Sequence, residues 1–229
     1  SQREILGALQ IIYFTPEALD LVRGEPTQRR DFMDKLLIAR APRLAGVISD
    51  YDRVVRQRNT LLKTRAPESS LAPWTEQLIS LGAQLTAERI ALVEKLNPYV
   101  TAHYAKLNEV KAASITYKSS TDGLTVDIDS NIAILTAQQK EVAHKESDRG
   151  VSLIGPHRDD LHLHLGDFPA KGYASHGESW SMAIALRIGS FTLLRDEGSS
   201  PILILDDIFA ELDTARRAQL VAITHLAEQ

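Results

Sequence analysis

Hydrophobic and polar positions change their period twice along the chain. A short apolar run, Leu9-Gln10-Ile11-Ile12-Tyr13-Phe14, reads as a strand and is broken by Thr15-Pro16. From there to about Asn108 the spacing is helical. Pro26 suits a first helical turn, where its missing N–H is not needed, and Phe32, Leu36 and Leu37 mark an apolar face that Pro42 interrupts. Leu44, Val47, Ile48, Tyr51, Val54, Val55, Leu61 and Leu62 follow in steps of three and four. Residues 64–73 carry two prolines and two serines and predict a loop. Leu78, Leu81, Leu85, Leu92, Leu96 and Tyr99 predict a second long helix, kinked near Asn97 by Pro98. Two long helices joined by a loop predict an antiparallel pair.

The pattern changes again from about Lys111. Ile115–Tyr117 and Leu124–Ile128 predict paired strands, and Asn131 to about Lys145 a helix. Val151–Ile154 and Leu161–Leu165 are strand-like. Glu178–Arg195 predicts a helix with Met182, Leu186, Gly189 and Leu193 on one face. Ile202–Leu205 is fully apolar, as a strand inside a parallel sheet would be, and Glu211 to about Leu226 predicts a final helix. Strands alternating with helices predict an α/β layer. The expected organisation is a first segment at residues 1–15, a helical part at 16–110 and an α/β part at 111–229.

Composition narrows the function classes. Of the 229 residues 44% are apolar and 24% charged, enough for a folded core. No apolar run approaches the roughly 20 residues of a spanning helix, so no membrane partner is expected. There is no cysteine, which excludes disulfides, thiol catalysis and cysteine-held metals. The net charge of −4 means that any nucleic-acid contact must come from a local patch. One candidate is the basic stretch holding Arg53, Arg56, Arg58 and Lys63; its alternative is a solvated helix face.

Two motifs carry candidate chemistry. Pro201-Ile-Leu-Ile-Leu-Asp206-Asp207 is an apolar strand ending in two carboxylates at the sheet edge where ligands bind. Asp206 suits Mg²⁺, and Asp207 can orient or deprotonate an attacking water, the form of a Walker B motif. The alternative is a buried strand whose Asp206 caps the next helix. Ala174-Ser175-His176-Gly177-Glu178-Ser179 opens a long helix, and a small turn there presents N–H groups to phosphate; the alternative is a plain serine cap.

With Glu211-Leu-Asp213 following, the three pieces resemble an ABC-type ATPase: Ser175-His-Gly177-Glu178-Ser is similar to the signature loop, Ile202–Asp207 to Walker B and Glu211-Leu-Asp213 to the D-loop. Gly155-Pro-His157-Arg158-Asp159-Asp160-Leu161, Phe14-Thr-Pro16-Glu17-Ala-Leu19 and Gly24-Glu-Pro26-Thr-Gln-Arg29-Arg30-Asp31-Phe32 resemble the RecF family of bacterial recombination and repair proteins, as does the Asp206-Asp207 pair. The resemblance runs through nearly the whole chain. It implies part of a Rad50-like ABC-type ATPase head carrying a helical arm domain, with residues 1–15 as the end of the N-terminal part of the head, 16–110 as the arm and 111–229 as the rest of the head. It also implies ATP and Mg²⁺ as cofactors, ATP-dependent homodimerisation on DNA, and work with RecO and RecR in loading RecA at gaps and stalled forks. The implied place is the cytoplasm, at the nucleoid. It assigns Asp206 to Mg²⁺, Asp207 to the attacking water, Ser175 and Gly177 (with Glu178 beside them) to the partner's ATP, and Glu211 and Asp213 to the dimer contact.

One element of the pattern is missing: no glycine is followed by lysine, so there is no Gly-x-x-x-x-Gly-Lys-Ser/Thr loop to hold the β- and γ-phosphates. The expectation is therefore an arm plus the signature half of a head, unable to hold or hydrolyse ATP alone and able only to supply Ser175 in trans. Two other classes stay open: a transporter-type ATPase subunit, and a non-catalytic interaction module on a degenerate head. His157, His162 and His164 with Asp159 and Asp160 invite a metal site. Leu161, Leu163 and Leu165 alternate with the histidines, however, which favours a half-buried strand, and no structural metal is expected. The string from Gly155 to Leu161 is either a tight turn with Arg158 paired to Asp159 or Asp160, or a contact with nucleotide or partner head.

Overall fold

A computed structural model describes residues 10–108, 110–205 and 221. Its elements are β1 (Ile11–Phe14), a 3₁₀ turn (Pro16–Leu19), α1 (Asp20–Arg23), α2 (Pro26–Arg40), α3 (Leu44–Lys63), α4 (Glu68–Leu107), β2 (Ala113–Lys118), α5 (Ile128–Arg149), β3 (Asp160–Leu165), β4 (Phe168–Pro169), α6 (Ala170–Tyr173), α7 (His176–Asp196) and β5 (Ile202–Leu205). The chain forms two compact units, neither continuous in sequence: residues 1–40, 93–116 and 161–229, and residues 41–92 and 117–160. The periodicity places its boundaries elsewhere, at 16 and 111, because α4 is one uninterrupted helix contributing to both units.

In the first unit β1 and β5 pair in parallel, with Ile11 opposite Ile202 and Phe14 opposite Leu205. β2, β3 and β4 form a second sheet in that order. The core gathers on α7, which is buried almost all round from Ser179 to Leu194, as a central helix must be. Gly189 lies where a Cβ would crowd the Val100 backbone, so α7 and the end of α4 can pack closely. Pro98 does not end α4. An interior proline costs about 3 kcal/mol, but Leu96, Val100 and Tyr104 beside it are fully buried, and that packing outweighs the loss. Asn97 Oδ1 also accepts the Ile115 N–H (2.7 Å) and Thr101 Oγ1 donates to the Ala113 carbonyl (2.8 Å), fixing β2 to the helix.

In the second unit α3 runs antiparallel to the first part of α4: Arg43 pairs with Glu88 at 3.1 Å, and Arg58 Nε donates to Thr75 Oγ1 at 3.0 Å. Ile79, Ala83, Leu135 and Ile154 form one cluster of its core, with Leu124, Ile132 and Val142 packed on it. Three expectations change here. Residues 68–73 are the first turns of α4 rather than loop, because the Pro67 carbonyl accepts the N–H groups of Ser70 and Leu71 and Leu71 is buried. Residues 124–128 form no strand: Asp127 caps α5 by accepting the Ser130 N–H (2.7 Å), and buried Asn131 bonds both the N–H and the carbonyl of Thr125. Such side-chain bonds satisfy the backbone locally and compete with a ladder. Residues 151–154 form no strand either, since the Ser152 and Leu153 N–H groups go to Asn59 and Glu146. Among the described residues no helix is long and apolar enough to cross a membrane.

Candidate functional site

The turn that opens α7 is a full capping box. Ser175 is extended (φ −61°, ψ 169°), its Oγ accepts the Glu178 N–H at 3.2 Å, and its own N–H is accepted by Glu178 Oε2 at 2.8 Å. This leaves the hydroxyl hydrogen of exposed Ser175 available to donate outward. The Gly177 N–H, at the second helical position, has no carbonyl of its own helix to reach. Both donors lie at the positive end of a 21-residue helix. The turn thus offers donors to an anion.

Glu178 is the one negative group in that turn, and Lys111 neutralises it: Nζ lies 2.7 Å from Oε1. The Lys111 ammonium and then the Ser175 N–H hold the carboxyl down to about 2, against an ordinary 4.5, so it is ionised throughout the physiological range. A second relay braces the turn from below. Buried Ser179 Oγ donates to the Ser175 carbonyl at 2.9 Å and accepts from Arg23 Nε at 3.2 Å. Trp180 Nε1 donates to His176 Nε2 at 3.0 Å, and the Trp180 ring packs on Phe14 of β1 at 5.7 Å. The Ser175 turn is therefore attached to the strand that pairs with β5.

Other sequence-derived candidates distribute unevenly. Asp206, Asp207, Glu211 and Asp213, with the final helix, lie outside the described residues; β5 reaches Leu205 directly before the carboxylate pair. Arg53, Arg56 and Lys63 are exposed on α3, Arg53 within 3.0 Å of Asp50. Arg58 does not join them. Its side chain is 3% exposed and lies 2.6 Å from Glu146, itself fully buried, because α3 turns that position toward α5. It is withdrawn from the phosphate-contacting set. His162 and His164 lie beside each other on β3 without a carboxylate cluster, and among the described residues no group of three potential ligands could hold a metal.

The sequence missed the buried network of the second unit. Arg58 also donates to Ser152 Oγ (2.7 Å), Gln139 Nε2 donates to Glu146 Oε2 (2.7 Å), and the Leu153 N–H donates to Glu146 Oε1 (2.6 Å). The string from Gly155 to Leu161 turns into the same region. Gly155 has φ 109°, and a side chain there would strike the Tyr51 hydroxyl. Buried Arg89 donates to the Pro156 carbonyl, the Tyr51 hydroxyl bonds His157 Nδ1 at 2.7 Å, and Arg158 donates to the Ser152 carbonyl rather than closing on its neighbouring aspartates. Asp159 accepts from the Tyr117 and Ser119 hydroxyls and the Ser120 N–H. Nearly every polar group of the string is used to fold this unit. The only sequence signal was a glycine, a histidine and an arginine crowded next to acids.

Three comparisons set this geometry among known proteins. No protein-family model matches the chain. A DNA replication and repair protein RecF of Rhodococcus erythropolis is 47% identical over 99% of the chain, and one of Streptomyces avermitilis is 46% identical over 99%. The chain spans 62% and 64% of those two relatives, somewhat under two thirds of their length. Among solved structures, one described as the recombination mediator protein RecF-ATPrS in the RecFOR pathway superposes with a TM-score of 0.88. It covers 97% of this chain and 62% of that one, at 23% identity. Its RecF-ATP counterpart superposes with a TM-score of 0.87 over 98% and 61%, at 22% identity. Over 99% of its length the chain is similar to these two RecF proteins, and its mixed helix-and-sheet architecture is that of the superposed RecF structures.

Proposed function

We propose that this RecF relative is the arm and signature-bearing portion of an ATP-dependent DNA-binding protein of recombinational repair and replication-fork maintenance. The observation that carries the reading is the Ser175 turn: the exposed Ser175 hydroxyl and the Gly177 N–H stand at a helix N-terminus, while Lys111 cancels the nearby Glu178 charge. A terminal phosphate suits that set, with donors at hydrogen-bond reach and no net repulsion. When bound, ATP with Mg²⁺ supplies the phosphoryl group and the charge neutralisation of its transfer. Asp206 would hold the metal, and Asp207 would position the attacking water in the same head. Ser175 and Gly177 would contact the nucleotide held by a second copy, and Glu211 and Asp213 would meet that copy across the interface.

In this reading the intact protein is a weak, DNA-stimulated ATPase that closes on DNA as a dimer at the nucleoid, and the chain on its own is inactive for want of a phosphate loop. RecO and RecR are its partners and RecA the protein it helps to load. Exposed Arg53, Arg56 and Lys63 would contact DNA phosphates without reading sequence. Reversing these three charges should weaken DNA binding and flatten its salt dependence; unchanged affinity and slope would remove them from the interface. The reading as a whole is tested by ATP turnover of the intact protein with and without DNA, beside its Asp207→Asn variant. DNA-stimulated turnover lost in the variant is the expected result. No turnover and no Mg·ATP binding in either protein would leave an interaction module.

A further inference from the structure

We propose that Arg23 is a further phosphate-contacting group of the signature turn: its guanidinium reaches the terminal phosphate of the nucleotide held by a second copy of the protein. The inference rests on the reading of Ser175 given above and adds to it a residue outside every motif. Arg23 ends α1, is exposed, and docks by its Nε on Ser179 Oγ at 3.2 Å. Ser179 is fully buried and its hydroxyl is committed to the Ser175 carbonyl at 2.9 Å, so one relay ties the guanidinium to the signature serine. Using Nε for docking leaves the two terminal nitrogens, the pair that grips phosphate in a forked contact. Among the described residues those nitrogens have no acceptor.

The support under Arg23 is rigid. Leu21 and Val22 of α1 are buried, and Gly24, which follows Arg23, donates its N–H to the Asp20 carbonyl at 2.9 Å. Buried Arg29 then donates to the Leu21 and Gly24 carbonyls at 3.3 and 3.0 Å, closing the turn. Charge pairing around the site leaves Arg23 over. Glu25 is held by Lys171 at 3.1 Å and Glu178 by Lys111 at 2.7 Å. An exposed arginine held in place by its Nε, without a carboxylate among the described residues, beside a turn that offers donors to an anion, is the arrangement of a residue waiting for that anion. A guanidinium there stabilises the charge that spreads over the transferring phosphoryl oxygens, without taking or giving a proton.

The test uses the intact protein, as wild type, Arg23→Ala, Arg23→Gln (which keeps a donor for Ser179 but no charge), Asp207→Asn and Ser175→Arg. The expected result for both Arg23 variants is turnover lowered by about 10³-fold, the usual worth of such an arginine, with ATP affinity of the single copy and thermal stability unchanged. Because the residue acts in trans, an equimolar mixture of Arg23→Ala with Asp207→Asn should recover about a quarter of wild-type turnover, since random pairing in a two-fold dimer leaves that share of sites intact. Arg23 variants within about twofold of wild type, a margin far below the effect of such a residue, beside an inactive Ser175→Arg would overturn the Arg23 assignment and leave the reading of Ser175 standing. A mixture that stays inactive would overturn action in trans. An active Ser175→Arg would overturn the reading and Arg23 with it.

Discussion

Two glutamates meet a basic side chain at almost the same distance, and they do different work. Glu146 in the second unit is fully buried and lies 2.6 Å from Arg58, which is 3% exposed; Glu178 in the first lies 2.7 Å from Lys111, which is 44% exposed. The first pair is ringed by Ser152, Gln139 and the Leu153 N–H, so every member depends on the others. The second closes a helix cap and keeps one solvent-facing partner. Burial decides the difference. A charge removed from water must be matched inside the protein, whereas a charge at an exposed cap can be tuned by its solvent-facing partner.

That contrast sets the size of each perturbation. The largest effect should come from Glu146→Gln, which leaves the Arg58 charge buried without its counterion and should cost about 3–5 kcal/mol in denaturant unfolding. A loss below ~1 kcal/mol would mean that water reaches the pair. Next is Gly155→Ala. The left-handed conformation and the Tyr51 hydroxyl both oppose a methyl group there, for about 1–3 kcal/mol with little change in the first unit's hydrogen exchange.

A smaller, pH-dependent effect belongs to His103. Burial lowers it to about 4 from an ordinary 6.5, so the unfolded chain binds the proton more readily between those values. Its contribution to stability is complete above pH 6.5 and is lost as pH falls toward 4, and His103→Gln should flatten the Tm against pH in that window. The smallest effect should be Lys111→Met, worth no more than about 1 kcal/mol at so exposed a pair. Glu178 is held near 2, so its contribution stands above pH 4.5 and fades as pH falls toward 2. In the Lys111 variant the Glu178 titration, followed by NMR, should move up toward 4.5. An unmoved titration would assign the low value to the capping box alone.

The first unit was the more legible in sequence. Apolar Ile202–Leu205 and the first-turn Pro26 obey rules that act within a few residues and appear where the pattern placed them, while the serine cap offered as the alternative at Ser175 is extended by Glu178 into a full capping box. The second unit was misread where distant partners decide. Residues 124–128 and 151–154 have strand-like composition, but Asn131, Asn59 and Glu146 capture their backbone groups, and no local period announces that. Arg58 was misplaced for the same reason: among neighbouring basic residues only the helix phase, set by packing against α5, turns it inward. Arg23 lies in none of the motifs that carry the resemblance, and its relation to Ser175 crosses 156 positions between Arg23 and Ser179.

The most direct test of the account is association of the intact protein in the presence of ATP, measured by sedimentation for wild type and for Ser175→Arg. The account predicts an ATP-dependent dimer for wild type, and a Ser175→Arg protein that binds ATP as before but stays monomeric. A Ser175→Arg protein that dimerises with ATP as readily as wild type would contradict it.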